Sequence, residues 1–492
     1  MDNTTKKNLW LFPIGTIGRD MVYSLVTNYL LTFILFTRRL SNSQLAAVTA
    51  IMVLARIFDA LNDPLMGNII ENTRTRWGKF KPWLLTGILL TSVVVYTVFN
   101  TTLQGWSFIA LFAVFYLLYS ITYTMHDISY WGMVPALSSD ADARNQFTSR
   151  ATLFAGIGGT LASVLIPMLT AGSNAIGGSA TVAYGRIALI IGILAPFFLF
   201  FTIFGVRERR DDQEKKASSF GLKKVIETIT KNDQLMWIAL IFLIQQIGNG
   251  IVIGGLGSTY IYIEFGYEGS LYSIFTTVGM AATAFLMIFY PAISRRIPRK
   301  KLMDIMMAIG FLGYALMLLS GLFLPKGDLK FWILVIGYML SNFGNYCFYL
   351  IMMISIINTV EYNELKTGER AEAIITSLRP FITKMSSAVI AIITSLSYMV
   401  FGITSYTNQI SELESEAASG AITDTAKMSA IEKVLSGVQH SQAVGLLFFM
   451  SVLPCALMFI SHLLYKKHYL LDEEEYERIC RELEERKAQT NA

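Results

Sequence analysis

The sequence predicts an all-α membrane protein with twelve transmembrane helices in two groups of six. Of its 492 residues, 53% are hydrophobic and 15% are charged, and the mean hydropathy is +0.50. These values are typical of polytopic membrane proteins. Apolar segments of about 20–30 residues recur along the chain, long enough to cross a hydrocarbon core with some tilt. A charged connection near the middle separates the first six segments from the last six.

The first six spans are predicted from apolar runs that end at polar or charged residues. The first run follows a short polar N-terminus and is not followed by a small-residue cleavage site, so we expect a span and not a cleaved signal. Basic residues end the second span, while uncharged loops follow the third and the fifth. The predicted spans are 9–36, 44–70, 83–99, 106–137, 147–169 and 187–204.

The connection between the two groups carries a run of arginines and aspartates and two Lys-Lys pairs. Six further apolar runs follow it, at 234–262, 272–293, 302–324, 331–357, 374–401 and 444–464. We therefore expect four parts in the chain. These are an N-terminal six-helix half (1–205), a cytoplasmic central loop (206–233), a C-terminal six-helix half (234–466) and a cytoplasmic tail (467–492).

Loop charges predict the orientation. The basic segments 73–81, 206–233 and 294–301 fall on one side of the membrane if the count of twelve is right. The positive-inside rule then places both termini in the cytoplasm, and we expect a multi-pass protein of the plasma (bacterial inner) membrane. The long acidic loop 404–439 is external on this count, and its stretch 425–435 is a possible surface helix.

The tail 472–487 is rich in Glu, Arg and Lys, with Leu471, Tyr476, Ile479 and Leu483 at helical spacing. We expect a cytoplasmic amphipathic helix there, the alternative being a solvated terminal helix.

Other classes of protein are not indicated. The net charge of +5 reflects loop bias and does not suggest a nucleic-acid partner, and three cysteines have no metal-site or disulfide spacing. The sequence has no Walker-type phosphate loop and no HExxH helix, so neither ATP coupling nor a zinc peptidase is indicated. The span count excludes neither a channel nor a membrane enzyme, but we do not expect an enzyme. Two groups of six spans match secondary transporters, whose substrate site lies between the halves near the midplane.

The second span carries three charges, Arg56, Asp59 and Asp63. The two carboxylates are four residues apart and share one helix face, with Asn62 beside them. Buried charges in a membrane need a partner, a cavity or a bound cation, and carboxylate and amide oxygens suit a hard cation. The alternative is simple pairing with Arg56, but one arginine does not neutralise both acids.

Span four carries a carboxylate and an indole four residues apart, Asp127 and Trp131. A carboxylate accepts hydroxyl hydrogen bonds and an indole offers a flat apolar platform, a combination that suits a sugar. In span one, Asp20 is a further acceptor and Arg19 a donor, the alternative being an interhelical ion pair. Packing is the alternative for Trp131.

Three further polar residues lie in the spans. The Thr124 hydroxyl is able to join the cation site, although a bond back to its own helix is about as plausible. Lys384 of span eleven is a potential partner for a carboxylate of the first half when no cation is bound. His126 is either proton-sensitive or, more simply, a buried neutral histidine.

These motifs resemble the glycoside–pentoside–hexuronide:cation symporters of the major facilitator superfamily. The strongest matches are Arg56-Ile-Phe-Asp-Ala-Leu-Asn-Asp-Pro-Leu-Met-Gly67 and Arg74-Thr-Arg-Trp-Gly-Lys-Phe-Lys-Pro-Trp83. The segments 123–135 and 361–366 also fit. The resemblance implies the major facilitator fold and two sets of site residues. The implied cation ligands are Asp59 and Asp63, as principal ligands, with Asn62 and Thr124. The implied sugar-binding residues are Arg19, Asp20, Tyr123, Asp127 and Trp131, and the implied charge partners are Arg56 and Lys384.

The chain departs from the family pattern at three places. Thr152 stands where the family has a sugar-contacting arginine, with Arg150 two residues earlier, and His126 replaces an apolar residue. The long loop before span twelve is also unusual. These departures leave the identity of the sugar open.

We therefore expect a functional monomer that transports a sugar or glycoside by alternating access, coupled to a monovalent cation and needing no other cofactor. Na⁺ is favoured over H⁺ because two acids with Asn62 and Thr124 supply several oxygens, whereas a proton needs one acid with a raised pKa. One alternative is a lysophospholipid:Na⁺ symporter, which predicts an apolar cleft. The other is a non-transporting membrane sugar sensor, for which the tail of about 25 residues is short.

Overall fold

The computed structural model describes residues 3–138, 140–208 and 222–490, and the regular structure in these ranges is helical. Two π-helical turns, Leu25–Tyr29 and Val252–Leu256, interrupt long helices. The α-helices are α1 Asn3–Ser24, α2 Leu30–Thr37, α3 Asn42–Asn72, α4 Lys81–Asn100, α5 Gly105–Leu137, α6 Ala141–Thr170, α7 Ala180–Gly205, α8 Leu222–Lys231, α9 Asp233–Gly250, α10 Gly257–Phe265, α11 Gly269–Ser294, α12 Arg299–Phe323, α13 Asp328–Thr367, α14 Glu372–Val400, α15 Ile403–Ala418, α16 Asp424–Ser436, α17 His440–His468 and α18 Glu473–Thr490.

Among the described residues, 11 helical stretches are long and apolar enough to cross a membrane, or 12 if the bent helix α3 counts as one span. With α3 included, these stretches correspond to the twelve predicted spans. The α3 axis bends by 42° between Asp59 and Asn62. Pro64 explains the bend, because it has no N–H for the carbonyl of residue 60 and its ring crowds that turn.

The first compact unit contains the described residues of 1–219 together with 261–274 and 394–442. Close backbone contacts fix α1 within it. A Cβ atom at Gly158 of α6 would lie 2.2 Å from the carbonyl oxygen of Ile17, and one at Gly18 would lie 2.5 Å from Cα of Ala195 on α7. The stretch of α1 that bears Arg19 and Asp20 is therefore held by helix backbones on two sides.

The segment predicted as an external loop is mostly helical and belongs to this first unit. The prediction of a helix over 425–435 is confirmed by α16. Helix α15 was not predicted, and it follows α14 after Gly402, whose φ of 65° lets the chain change direction at low cost.

The second compact unit contains the described residues of 220–260, 275–393 and 443–492. In its core, α12 and α13 approach so closely that a Cβ atom at Gly313 would lie 2.5 Å from the carbonyl oxygen of Gly337. The tail prediction of an amphipathic helix is confirmed by α18, whose residues Ile479 and Leu483 are buried in that core. Part of the predicted central loop forms helix α8. Residues 209–221 of that loop lie outside the described residues.

Candidate functional site

Two carboxylates of α3 face two hydroxyls of α5 in the first compact unit. The Ser120 hydroxyl donates to Asp59 Oδ1, and Thr124 Oγ1 donates to Asp63 Oδ1 at 2.9 Å. Each pair is spaced by one helical turn, so the two contacts form a carboxylate–hydroxyl ladder between the helices. Asp59 and Thr124 are each 2% exposed. A hydroxyl that gives its proton to a carboxylate keeps lone pairs for a cation bound there.

Arg56 neutralises one of the two acids. Its Nη1 atom lies 3.3 Å from Asp59 Oδ2, one turn away on the same helix. Asp63 accepts the hydroxyl of Thr124, as described above. The amide nitrogen of Asn62 is buried and makes no hydrogen bond to the described residues.

Arg19 forms an ion pair between α1 and α5. Its Nη2 atom lies 2.9 Å from Asp127 Oδ1 and 4.0 Å from Asp20 Oδ2. The closer partner is thus on the other helix, as expected since adjacent residues of a helix point in different directions. Within the described part of the chain, Arg19 Nε, Arg19 Nη1 and Asp20 Oδ2 are buried without hydrogen-bond partners. Because buried polar atoms usually have partners, this group has unused capacity to bind a polar ligand.

Aromatic rings surround this ion pair. The Arg19 guanidinium carbon lies 4.5 Å from the ring centroid of Tyr130 and 5.7 Å from that of Trp131. The Tyr123 ring lies 5.8 Å from the ring of Tyr23 on α1, measured between centroids. The rings therefore provide flat apolar surfaces beside charged hydrogen-bonding groups, the combination that carbohydrate recognition uses.

His126 fills space behind Tyr123. It is fully buried, and its ring stands at 72° to the Tyr123 ring with centroids 4.7 Å apart. Gly87 of α4 makes room for it, since a Cβ atom there would lie 3.0 Å from the Cβ atom of His126. Burial and packing fit the simpler alternative of a packing histidine.

One face of α5 carries the hydroxyls of the ladder, the carboxylate of the ion pair and the indole beside it. Ser120, Thr124, Asp127 and Trp131 are separated by four, three and four residues, which is the spacing of a single helix face. Thr124 and Asp127 are separated by a rise of only about 4.5 Å along the axis. The ladder to α3 and the ion pair to α1 are therefore adjacent on one rigid helix.

Three residues singled out in the sequence lie outside the contacts described so far. Lys384 lies on α14 in the second compact unit, so its pairing with a first-half carboxylate stays a prediction. Thr152 is exposed and donates to the carbonyl oxygen of Thr148 in its own helix at 2.9 Å. Arg150 donates to the carbonyl oxygen of Leu9, so neither substitutes for the family's arginine through the contacts described.

Sequence reasoning missed Ser120 and Tyr130. Ser120 stands four residues before Thr124, the same spacing as the two acids of α3, and that match was a usable signal. Tyr130 places its ring under Arg19 and donates its hydroxyl to the carbonyl oxygen of Phe12 at 2.6 Å. No comparable spacing identifies Tyr130 among the many tyrosines of the chain.

Known proteins identify the family. The family described as MFS/sugar transport protein matches residues 11–472. The lactose permease of Leuconostoc lactis is 30% identical over 404 residues, which cover 77% of this chain and 60% of that protein. The raffinose carrier protein of Pediococcus pentosaceus is 27% identical over 491 residues, covering 96% of this chain and 71% of that protein. The chain thus spans about 60% of the length of the lactose permeases that it matches.

Solved structures agree on the fold. A bacterial homologue of the human lysosomal transporter Spinster, in an inward-facing and unoccupied conformation, superposes with a TM-score of 0.59 at 12% identity. The match covers 94% of this chain and 97% of that one. The major facilitator fold and the resemblance to glycoside–pentoside–hexuronide:cation symporters are therefore confirmed. With residues 11–472 matched, this chain belongs to the MFS/sugar transport protein family.

Proposed function

We propose that the protein is a secondary active symporter that couples uptake of a sugar or glycoside to Na⁺ by alternating access. The observation that carries this proposal is the single face of α5, which joins the carboxylate–hydroxyl ladder to the Arg19–Asp127 ion pair. The relatives named lactose permease and raffinose carrier protein support a sugar as the substrate.

The ladder is the proposed cation site. Asp59 and Asp63 supply carboxylate oxygens, Thr124 a hydroxyl and Asn62 an amide, all hard ligands suited to an alkali or alkaline-earth cation. A site with several oxygens favours Na⁺ over H⁺, since a proton needs only one acid.

The α1–α5 group is the proposed sugar site. Arg19 offers unused N–H donors and Asp20 an unused acceptor, so hydroxyl groups of a sugar would complete their hydrogen bonding. Asp127 accepts further hydroxyls while it remains paired with Arg19. Tyr123 and Trp131 supply the apolar surfaces on which the C–H face of a sugar ring packs.

Coupling follows from the proximity of the two sites on α5. The cation binds first or together with the sugar and neutralises Asp59 and Asp63, which strengthens sugar binding. The effect is reciprocal, so the sugar raises the affinity for the cation by the same factor. Lys384 is the proposed charge partner in the other half of the chain. We further propose a functional monomer without catalytic activity, in the bacterial inner membrane, with both termini in the cytoplasm.

The test is uptake into proteoliposomes. A panel of galactosides, glucosides, pentosides and uronides is screened with an inward Na⁺ gradient, an inward H⁺ gradient or neither. The proposal expects accumulation of at least one sugar with Na⁺. Sugar accumulation driven only by H⁺ would show that the coupling ion is H⁺ and not Na⁺. The absence of cation-dependent uptake for every sugar would refute the proposal of a symporter.

The Asp59→Asn variant tests the division of labour between the two sites. It keeps the shape of the side chain and removes the charge, so it should abolish concentrative uptake while leaving measurable sugar binding. Retained Na⁺-driven accumulation would contradict the cation assignment.

A lysophospholipid substrate is disfavoured by the charged groups that line α1 and α5, and a sensor would bind sugar without any accumulation.

A further inference from the structure

The two helices α15 and α16, residues 403–436, pack onto the N-terminal helices through a buried ion pair. Glu414 of α15 is 0% exposed and Lys427 of α16 is 1% exposed, and their charged atoms lie 3.7 Å apart. Glu414 Oε2 also accepts the backbone N–H of Ala180 at 2.6 Å, at the first residue of α7. Lys427 donates to the backbone carbonyl of Gly178. We call this two-helix segment the outer clasp.

Further contacts tie the outer clasp to the first helices of the chain. The Asn408 side chain bonds the backbone of Leu40 twice, accepting from its N–H and donating to its carbonyl, each at 2.9 Å. Arg39 pairs with Glu412 at 2.9 Å, but both side chains are more than half exposed, so this pair adds little. The clasp therefore contacts the chain before α3 and the chain before α7 at the same time.

The buried ion pair is costly to separate. A buried carboxylate and a buried ammonium are tolerated only when they are paired and hydrogen-bonded, and removal of one partner leaves an uncompensated charge. Burial raises the pKa of Glu414, while Lys427 and the N–H of Ala180 act in the opposite direction. The pair thus holds the clasp in one defined position against the residues around Ala180.

The position of the clasp in the chain gives these contacts a consequence. It lies between α14 and α17, which belong to the predicted C-terminal half, yet it packs with residues of the predicted N-terminal half. The segment 266–269 also lies in the predicted C-terminal half and contacts the N-terminal half, because Ser173 donates hydrogen bonds to the carboxylate of Glu268. If the clasp moves with α14 and α17 when the two halves separate on this side during transport, these contacts break.

We propose that the outer clasp is a latch that keeps the predicted external side closed and separates from the residues around Leu40 and Ala180 once in each transport cycle. This proposal depends on the proposed function only because it assumes an alternating-access cycle. Its position and release are measurable without any sugar.

The first experiment measures release by thiol labelling. Cys347, Cys455 and Cys480 are replaced by alanine, and Ser411→Cys on α15 provides a near-isosteric reporter at a position that is 1% exposed. A membrane-impermeant maleimide is added from outside to right-side-out vesicles. The reporter should react slowly in the parent protein, and the exposed Ser415→Cys reporter should react fast in every variant.

Charge variants in the reporter background then test the ion pair. Glu414→Gln or Lys427→Met should speed labelling by about tenfold or more, because each leaves one buried charge without its partner. The double variant should label more slowly than Lys427→Met alone, since no unpaired charge remains. Glu412→Gln is the matched control and should not change the rate. Equal labelling rates in the parent and both single variants would overturn the latch.

The second experiment locks the clasp. In the same cysteine-free background, Leu40→Cys with Asn408→Cys is joined by a mild oxidant, with each single variant as the control. The latch predicts that oxidation stops Na⁺-driven sugar uptake and that a reductant restores it. Undiminished uptake by fully cross-linked protein would overturn the latch. If the parent protein takes up no sugar, the proposed function fails while the labelling result stands by itself.

Discussion

Removal of one hydroxyl, in the variant Ser120→Ala, tests the carboxylate–hydroxyl ladder most directly. The Ser120 hydroxyl donates to Asp59 Oδ1, and the two residues are 6% and 2% exposed. Alanine fits the same space, so the helix contact between α3 and α5 should persist. The change therefore isolates one oxygen atom beside a buried carboxylate.

The size of the effect follows from the partner's charge. A hydrogen bond to a charged group contributes about 1.5–3 kcal/mol, which corresponds to about a 10- to 150-fold change in an equilibrium constant. If the Ser120 oxygen is a cation ligand, its loss removes one contact between a neutral oxygen and the charged cation, for which we take the same magnitude. We therefore expect the Na⁺ concentration for half-maximal sugar uptake to rise by about tenfold or more. The maximal rate at saturating Na⁺ should change less.

The assay is initial sugar uptake into proteoliposomes as a function of external Na⁺. Ser129→Ala is the matched control, because Ser129 lies on the same helix, is fully buried and makes no hydrogen bond to the described residues. Thr124→Ala should behave like Ser120→Ala, since Thr124 donates to Asp63 in the same manner.

The sign of the change decides the role of the hydroxyl. If Ser120 only compensates the charge of Asp59, its loss leaves that carboxylate less stabilised and the affinity for the cation rises. A lower half-maximal Na⁺ concentration in Ser120→Ala would therefore refute a ligand role for the Ser120 oxygen. An unchanged half-maximal Na⁺ concentration would show that the Ser120 hydroxyl does not contribute to the cation site.

Three further outcomes are expected from other parts of the molecule. Asp127→Asn should weaken equilibrium sugar binding by about tenfold or more, because its ion pair with Arg19 is lost; unchanged affinity by isothermal titration would contradict the sugar assignment. Gly158→Ala should cost about 1–3 kcal/mol and lower the melting temperature, because its Cβ atom would overlap the backbone of α1; Gly156→Ala, with nothing within 4 Å, is the control, and equal melting would contradict the packing. Although partial burial raises the pKa of Glu473, hydrogen bonds from Arg299 outweigh it and hold that pKa below 4.5. A lowered pKa stabilises the docked state at pH above 4.5, and this stabilisation is lost as pH falls through the lowered value, so hydrogen exchange of α18 should accelerate only in acid.

The fold could be predicted from the sequence because a membrane-spanning helix requires a continuous run of apolar residues of a characteristic length. The acids of α3 were also predictable, since charges are rare in such helices. Ser120 was missed, because a serine in an apolar helix most often bonds its own backbone. Its spacing of four residues from Thr124, equal to that of the two acids of α3, was the signal that could have identified it.

The outer clasp was less predictable for a different reason. Glu414 and Lys427 read as ordinary charges of a solvated loop, and their separation of thirteen residues matches no helical pairing. Their burial is a property of docking against α7, which no local pattern encodes. The α1–α5 ion pair is similar, because Arg19 has two acids to choose from in sequence and the packing of α1 selects Asp127.

The common face of α5 has a consequence for uncoupled leakage. A helix is stiff against twisting, so a rotation of α5 about its axis would turn Ser120, Thr124, Asp127 and Trp131 away from their partners together. If the proposed cation and sugar sites are correct, such a movement would release both solutes together, and neither could cross the membrane alone by this route. Mutants that leak one solute alone should therefore be sought among side chains of α1 and α3, which approach α5 from separate helices and can be altered one at a time.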